Sequence, residues 1–197
     1  MINLLQLDRT VFSWINRDCS NPFLDVMMPL VTHLGDSSVV WLWIAGIGLI
    51  MSFQLAPRFR NRPRSVMIKA VVSFCLFMAV IYVVNAGVYG GLKHLVHRPR
   101  PFVGQTETVR VISDSALHLN RNSSFPSGHA SNAFMIAVLL AGRFRRGRWA
   151  IFGVASLVAL SRVYLGVHYP SDVIAGACLG LVITWFMLSL RAPDPRC

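Results

Sequence analysis

Apolar residues in this chain come in long blocks rather than in the short alternation of a half-buried strand. Val39 to Ala56, Val66 to Tyr89, Ala130 to Ala141, Trp149 to Gly166 and Val173 to Leu190 are five such blocks, separated by polar and basic connections. A helix needs roughly 20 apolar residues to cross a hydrocarbon core about 30 Å thick, so the pattern predicts membrane helices. The third block is short, and extending it into His129 and Phe144 brings it near that length. Before these blocks, Leu4, Leu7, Val11 and Ile15 recur at helical spacing with Arg9, Ser13, Asn16 and Arg17 on other faces, the pattern of a helix lying in the interface. Residues 22–34 are apolar but interrupted by Asp25, Pro29 and His33, which favours an interfacial or re-entrant piece over a further crossing. The expectation is an all-α, polytopic transmembrane bundle of about five to six membrane helices, with an extracytoplasmic loop from Gly90 to Ser127. It forms one domain over 1–197, with N-terminal interfacial helices in 1–38 and the bundle in 39–190.

Composition agrees. Of 197 residues, 54% are hydrophobic and 14% charged, against about 25% charged in an ordinary soluble domain. The mean hydropathy of +0.54 excludes a disordered chain. A net charge of +11 would point to nucleic acid in a soluble protein, but here the charges cluster between apolar blocks, and no nucleic-acid partner is expected. Arg58, Arg60, Arg62 and Arg64 crowd one connection, Arg143, Arg145, Arg146 and Arg148 another, and Arg191 and Arg196 follow the last block. The positive-inside rule makes all three cytoplasmic and sets 1–38, 90–127 and the turn Val167 to Asp172 on the opposite face. Cys19, Cys75, Cys178 and Cys197 have no metal-ligand spacing and read as packing residues.

Polar residues then gather at block ends on that opposite face. Lys93 and Arg100 follow the second block, Ser127, Gly128 and His129 open the third, and Arg162, His168 and Asp172 join the fourth to the fifth. Two guanidinium groups, an ammonium and the free amides of a helix N-terminus describe a site for a multiply charged oxyanion such as phosphate. His168 and Asp172 lie four apart, so the carboxylate can fix the imidazole tautomer and leave the other nitrogen as a nucleophile. His129 is then available as general acid. Snorkelling to headgroups would explain any one of the cations, but an Arg162 preceded by a long apolar run is costly without a partner. His94, His97, Arg98, Arg110, His118 and Arg121 read as loop and headgroup contacts, and Tyr82, Tyr89 and the tryptophans as packing or interface anchors.

These residues form three motifs, Lys93-x6-Arg100-Pro101, Pro126-Ser127-Gly128-His129 and Ser161-Arg162-x5-His168-x3-Asp172. Together they resemble the type 2 phosphatidic acid phosphatase (PAP2) superfamily of membrane phosphatases. The resemblance implies that His168 forms a phosphohistidine, that Asp172 orients it, and that His129 protonates the leaving group and then activates water. Lys93, Arg100, Ser127, Gly128 and Arg162 would hold the phosphoryl oxygens. It implies no metal or other cofactor, a phosphorylated membrane lipid as substrate, and inhibition by phosphate or vanadate. Asp8 to Asn16, Leu24-Asp25 and Thr32-x-Leu34-Gly35 are similar to small bacterial undecaprenyl-diphosphate phosphatases, which implies a bacterial inner-membrane enzyme whose site faces the periplasm or outside. Lipid A phosphatases and phosphatidylglycerophosphate or phosphatidic acid phosphatases share the motifs, as would a lipid phosphotransferase. Vanadium haloperoxidases share the pocket but are larger and soluble, and a non-catalytic membrane protein gives no reason for His129, His168 and Asp172 to occur with a complete cation set.

Overall fold

The computed structural model describes residues 3–57, 60, 63–104, 109–112, 119 and 121–191. Arg58, Arg62, His118, Arg196 and Cys197 lie outside the described residues. The described secondary structure is helical: α1 Leu4–Ser13, α2 Pro22–Thr32, α3 Ser37–Leu55, α4 Arg64–Val96, the short α5 Pro101–Gly104, α6 Gly128–Arg143, α7 Arg148–Tyr164 and α8 Pro170–Leu190. Each apolar block is therefore a helix. Two ends differ from expectation. Helix α4 runs past Gly90 and Gly91 to Val96, so Lys93 sits in its last turn rather than beyond it. Helix α6 ends at Arg143, with Phe144 as its C-cap.

By length and composition, α3, the segment Arg64–Val103 that contains α4, and α8 are long and apolar enough to cross a membrane. Their outward positions carry large apolar side chains that water would penalise, such as Leu42, Phe53 and Trp185, each about seven-tenths exposed. Helices α6 and α7, with 16 and 17 residues, are shorter than a full crossing. Helix α6 sits in the interior, and α7 leaves Trp149, Val154, Leu157 and Leu160 exposed on its outer side. Helix α6 buries Ala130, Ser131, Asn132, Ala133, Met135, Ile136, Ala137 and Leu139 against α3, α4, α7 and α8. One cluster joins Val40, Ile44 and Ile47 of α3 to Met78 and Ile81 of α4 and Met135, Ile136 and Leu139 of α6.

Small residues allow the closest approach. Gly176 and Gly180 of α8 are four apart on one face, where a Cβ would collide with the carbonyls of Ser127, the N-cap of α6, and Ser131 within it. In an apolar bundle, where burial gives little drive between helices, that approach gains dispersion contacts. A polar network crosses the same region. Ser131 Oγ donates to Asn85 Oδ1 at 2.7 Å, Asn85 Nδ2 donates to Asn132 Oδ1 at 3.3 Å, and Asn132 Nδ2 donates to the Gly35 carbonyl at 3.1 Å. All three side chains are buried.

The N-terminal helix turns Asp8 and Phe12 inward. Leu4 and Leu7 are exposed, whereas Asp8, Phe12 and Asn16, spaced four apart, face inward. Leu4 and Leu7 form the outer surface, as suits a helix in a membrane interface, while Ile15 packs on the core and Asp8 and Asn16 reach the protein beside Phe12. Helix α2, of 11 residues, is too short to cross and packs on α7.

Substituting Gly180→Leu should abolish a monodisperse fold in detergent, or destabilise it by at least about 1–3 kcal/mol through overpacking. Gly153→Ala, whose Cβ would meet nothing within 4 Å, should leave the thermal midpoint within a few degrees. Size-exclusion chromatography and thermal unfolding of the two proteins compare them directly.

Candidate active site

The connections alternate the helix directions, so five helix ends meet at one end of the bundle. They are the start of α3 at Asp36, the end of α4 at Lys93, the start of α6 at Gly128, the end of α7 at Arg162 and the start of α8 at Asp172. Of the described basic residues between the helices, Arg60, Arg143, Arg145, Arg146 and Arg148 lie at the other end, as does Arg191.

Helix α7 stops at Tyr164, and Gly166 takes a positive φ of 79°. This turn brings the amides of Val167 and His168 back to the Arg162 carbonyl, each at 3.2 Å. His168 is thereby buried, 2% exposed. Its Nε2 lies 3.2 Å from Arg100 Nη1, which also donates to the Val167 carbonyl at 2.9 Å. Its Nδ1 lies 3.6 Å from Asp172 Oδ2, longer than a direct hydrogen bond. Ser124 fills that gap: its hydroxyl is 3.5 Å from Nδ1 and donates to Asp172 Oδ2 at 2.5 Å. A proton on Nδ1, directed at Ser124 and the carboxylate, leaves the Nε2 lone pair facing Arg100. Burial holds the His168 pKa well below its ordinary value of 6.5, against the opposing pull of Asp172, so the imidazole is neutral at neutral pH.

Asp172 is fully buried and heavily committed. Arg98 Nη1 donates to its Oδ1 at 2.6 Å, and the Tyr169 amide donates to Oδ2 at 2.9 Å. Arg98 is thus not the loop contact expected of it. Its Nη2 also pairs with Asp8 at 2.6 Å, its guanidinium lies 4.3 Å from the Tyr169 ring centroid, and Ser171 donates to Asp8 at 2.6 Å. Arg110 is likewise corrected, since it donates to Asp25 at 2.9 Å and its amide donates to Asn16 Oδ1.

The remaining cations converge on the same place. Lys93 Nζ donates to the Ser123 carbonyl at 2.9 Å. Arg162 is buried and donates from Nη1 to Thr32 Oγ1 at 2.7 Å, while its buried Nε has no hydrogen-bond partner among the described residues. Lys93, Arg100 and Arg162 lie within electrostatic reach of one another, an arrangement that repels itself until an anion enters. Ser127 differs from expectation in one respect. Its amide donates to the Asp172 carbonyl at 2.9 Å, so it is not free for an anion, and its Oγ caps Ala130. Gly128 and His129 open α6, where first-turn amides have no intrahelical acceptor. His129 Nε2 lies 2.6 Å from Asp36 Oδ1, an interaction absent from the sequence reading.

Comparison with known proteins accords with this geometry. The PAP2 superfamily model matches residues 70–195. The lipid A 1-phosphatase of Rhizobium johnstonii is 28% identical over 85% of this chain and 67% of its own length. The undecaprenyl-diphosphatase of Sulfolobus acidocaldarius is 32% identical over 84% of this chain and 71% of its own. The crystal structure of a transmembrane PAP2-type phosphatidylglycerolphosphate phosphatase from Bacillus subtilis superposes with a TM-score of 0.70 at 26% identity, covering 98% of this chain and 90% of that one. The chain belongs to the PAP2 superfamily. It is an all-helical membrane phosphatase of the type that acts on lipids.

The low His168 pKa fixes the sign of one pH effect. A group that must be neutral to react is lost as pH falls through its folded pKa, and that pKa is depressed. The acid limb of kcat/KM should therefore lie clearly below 6.5. A limb centred at 6.5 or above, measured by initial rates from pH 4 to 9, would contradict the burial argument.

Proposed function

We propose that this protein hydrolyses the phosphate or diphosphate of a membrane lipid by double displacement through a phosphohistidine. One observation carries this reading: a buried Arg162 whose Nε has no partner among the described residues stands with Arg100 and Lys93 beside a neutral histidine. Phosphate oxygens supply the missing acceptors and negative charge. His168 Nε2 attacks phosphorus as the P–O bond to the lipid breaks, and the imidazolium of His129 gives its proton to the leaving oxygen. Water then attacks the phosphohistidine, passes a proton to His129, and the N–P bond breaks. Asp172, acting with Ser124, keeps the His168 proton on Nδ1 and stabilises the positive charge that develops. Arg162, Arg100 and Lys93, with the Ser127 hydroxyl and the Gly128 amide at the helix start, hold the equatorial oxygens. No metal is needed for these steps, and the whole chain, 1–197, works as one phosphatase domain.

The arginine clusters at the opposite bundle end favour that end for the cytoplasm, which directs the site to the outer face of a bacterial inner membrane. There a lipid headgroup reaches the site sideways from the outer leaflet. The preferred substrate in this reading is undecaprenyl diphosphate, on the N-terminal pattern Asp8 to Asn16, Leu24-Asp25 and Thr32 to Gly35. Lipid A and phosphatidylglycerophosphate are the competing substrates, since relatives at similar identity act on each kind.

The test is phosphate release by purified protein in detergent with EDTA, from undecaprenyl diphosphate, lipid A, phosphatidylglycerophosphate and phosphatidic acid. The expected result is EDTA-resistant release, fastest from undecaprenyl diphosphate, blocked by vanadate, abolished in His168→Ala and reduced more than tenfold in Arg162→Lys, because an ammonium cannot replace a planar fork. Preference for another lipid would overturn the substrate, and release surviving in His168→Ala would overturn the nucleophile. In a cysteine-free background, an impermeant thiol reagent added to intact cells should label Arg121→Cys and spare Gly147→Cys. The reverse pattern would overturn the orientation.

A further inference from the structure

Asp36 occupies the N-cap position of α3, where an aspartate ordinarily spends a carboxylate oxygen on a helix amide. Its backbone is extended as a cap requires, yet its side chain makes no capping hydrogen bond. A cap of this kind stabilises a helix by about 1 kcal/mol, so the fold forgoes it for something else. Both oxygens go to histidines instead. Oδ1 lies 2.6 Å from His129 Nε2, and Oδ2 lies 2.7 Å from Nδ1 of His33, whose side chain is largely exposed. The hydrogen bond from His129 holds the Asp36 pKa down to about 2, so the group is a carboxylate across the working range.

We infer that Asp36 is a positioning residue for His129, fixing through Nε2 the ring whose Nδ1 serves the leaving-group oxygen, with His33 anchoring the second carboxylate oxygen. The chemistry follows from hydrogen-bond polarity. An ionised carboxylate only accepts, so Nε2 must carry a proton in both charge states of the ring. The proton that comes and goes is then the one on Nδ1. Without Asp36, the neutral ring could protonate either nitrogen, and half of the orientation would be lost. Burial, Arg162 and Lys93 all disfavour the His129 imidazolium, and the Asp36 carboxylate opposes them. The two histidines of the site thus have parallel supports: Asp172 and Ser124 behind His168, and Asp36 and His33 behind His129. Thr32 and Gly35, immediately before Asp36, hold Arg162 and Asn132, so one short segment supports both the acid and a phosphate ligand.

This inference rests on the phosphatase reading, and its test separates the two. Single-turnover rates are measured for a long-chain alkyl phosphate, whose alkoxide must be protonated to leave, and for the matching nitrophenyl phosphate, whose phenolate need not be. Wild type, Asp36→Asn, Asp36→Glu and His168→Ala are compared. A general acid contributes about 10²–10⁴-fold. Asp36→Asn should lose about 10- to 100-fold of that on the alkyl ester and less than threefold on the nitrophenyl ester, with KM unchanged for both. Asp36→Glu should recover part of the alkyl rate. Equal losses on both esters, or a wild-type alkyl rate in Asp36→Asn, would overturn the positioning role while leaving the phosphatase reading intact. A wild-type protein that releases phosphate from neither ester would overturn the phosphatase reading and this inference with it.

Discussion

Concentrated positive charge in a largely apolar bundle is the constraint on which the other features depend. A single arginine at the centre of a membrane helix costs about 2.5–3.5 kcal/mol on insertion scales. Here Arg100 and Arg162 are both buried, and Lys93 lies close by. The surrounding structure reads as compensation for them. Val167 and Ser123 lend carbonyls, Thr32 lends a hydroxyl, and Asp172 and Asp36 sit at the two sides. Among the described residues that compensation is incomplete at Arg162 Nε, and an incompletely satisfied cation cluster is what a phosphate dianion would complete. Catalysis by preorganised charge has this form, since the donors are already aimed before the substrate arrives and need not reorganise.

Rigidity comes from α6. Glycines of α8 let the two backbones approach at Ser127 and Ser131, directly below the residue that opens the site. The Asn85, Ser131 and Asn132 network ties α4 and the turn before α3 to the same helix. A half-ångström tolerance at a reacting phosphorus requires such a support, because His129, His168 and Arg162 come from different helix ends. The outer surface needs no such precision, and large apolar side chains there face outward from α3, α4 and α8.

Most of the architecture was legible in sequence because apolar blocks of helical length have few alternatives in a chain this poor in charge. The motif residues were legible because Lys, Arg and His at block ends have few bland roles in an apolar environment. What escaped was pairing between distant segments. Arg98 stands two residues before Arg100 and reads like any juxtamembrane arginine, yet it joins Asp8 to Asp172 across 90 and 74 positions. Ser124 looks like a turn residue until the fold brings it between His168 and Asp172. Asp36 belongs to none of the three motifs, and its contact with His129 appears only in the fold. Four polar residues of the N-terminal pattern have a physical role in the fold: Asp8 contacts Arg98, Asn16 and Asp25 contact Tyr164, and Thr32 contacts Arg162. Periodicity places these residues on a face but cannot name partners that lie many positions away in the chain.

Turnover by the proposed route requires a covalent bond between His168 and phosphorus. The most direct measurement is to mix enzyme with lipid substrate labelled in the transferred phosphate, quench in alkali within one turnover, and map the modification by mass spectrometry. The account predicts an alkali-stable, acid-labile phosphoryl group on the peptide that contains His168, absent in His168→Ala and accumulating in His129→Ala when an activated leaving group is supplied. A label on any other side chain, or turnover with inversion at phosphorus and no phosphoenzyme, would contradict it.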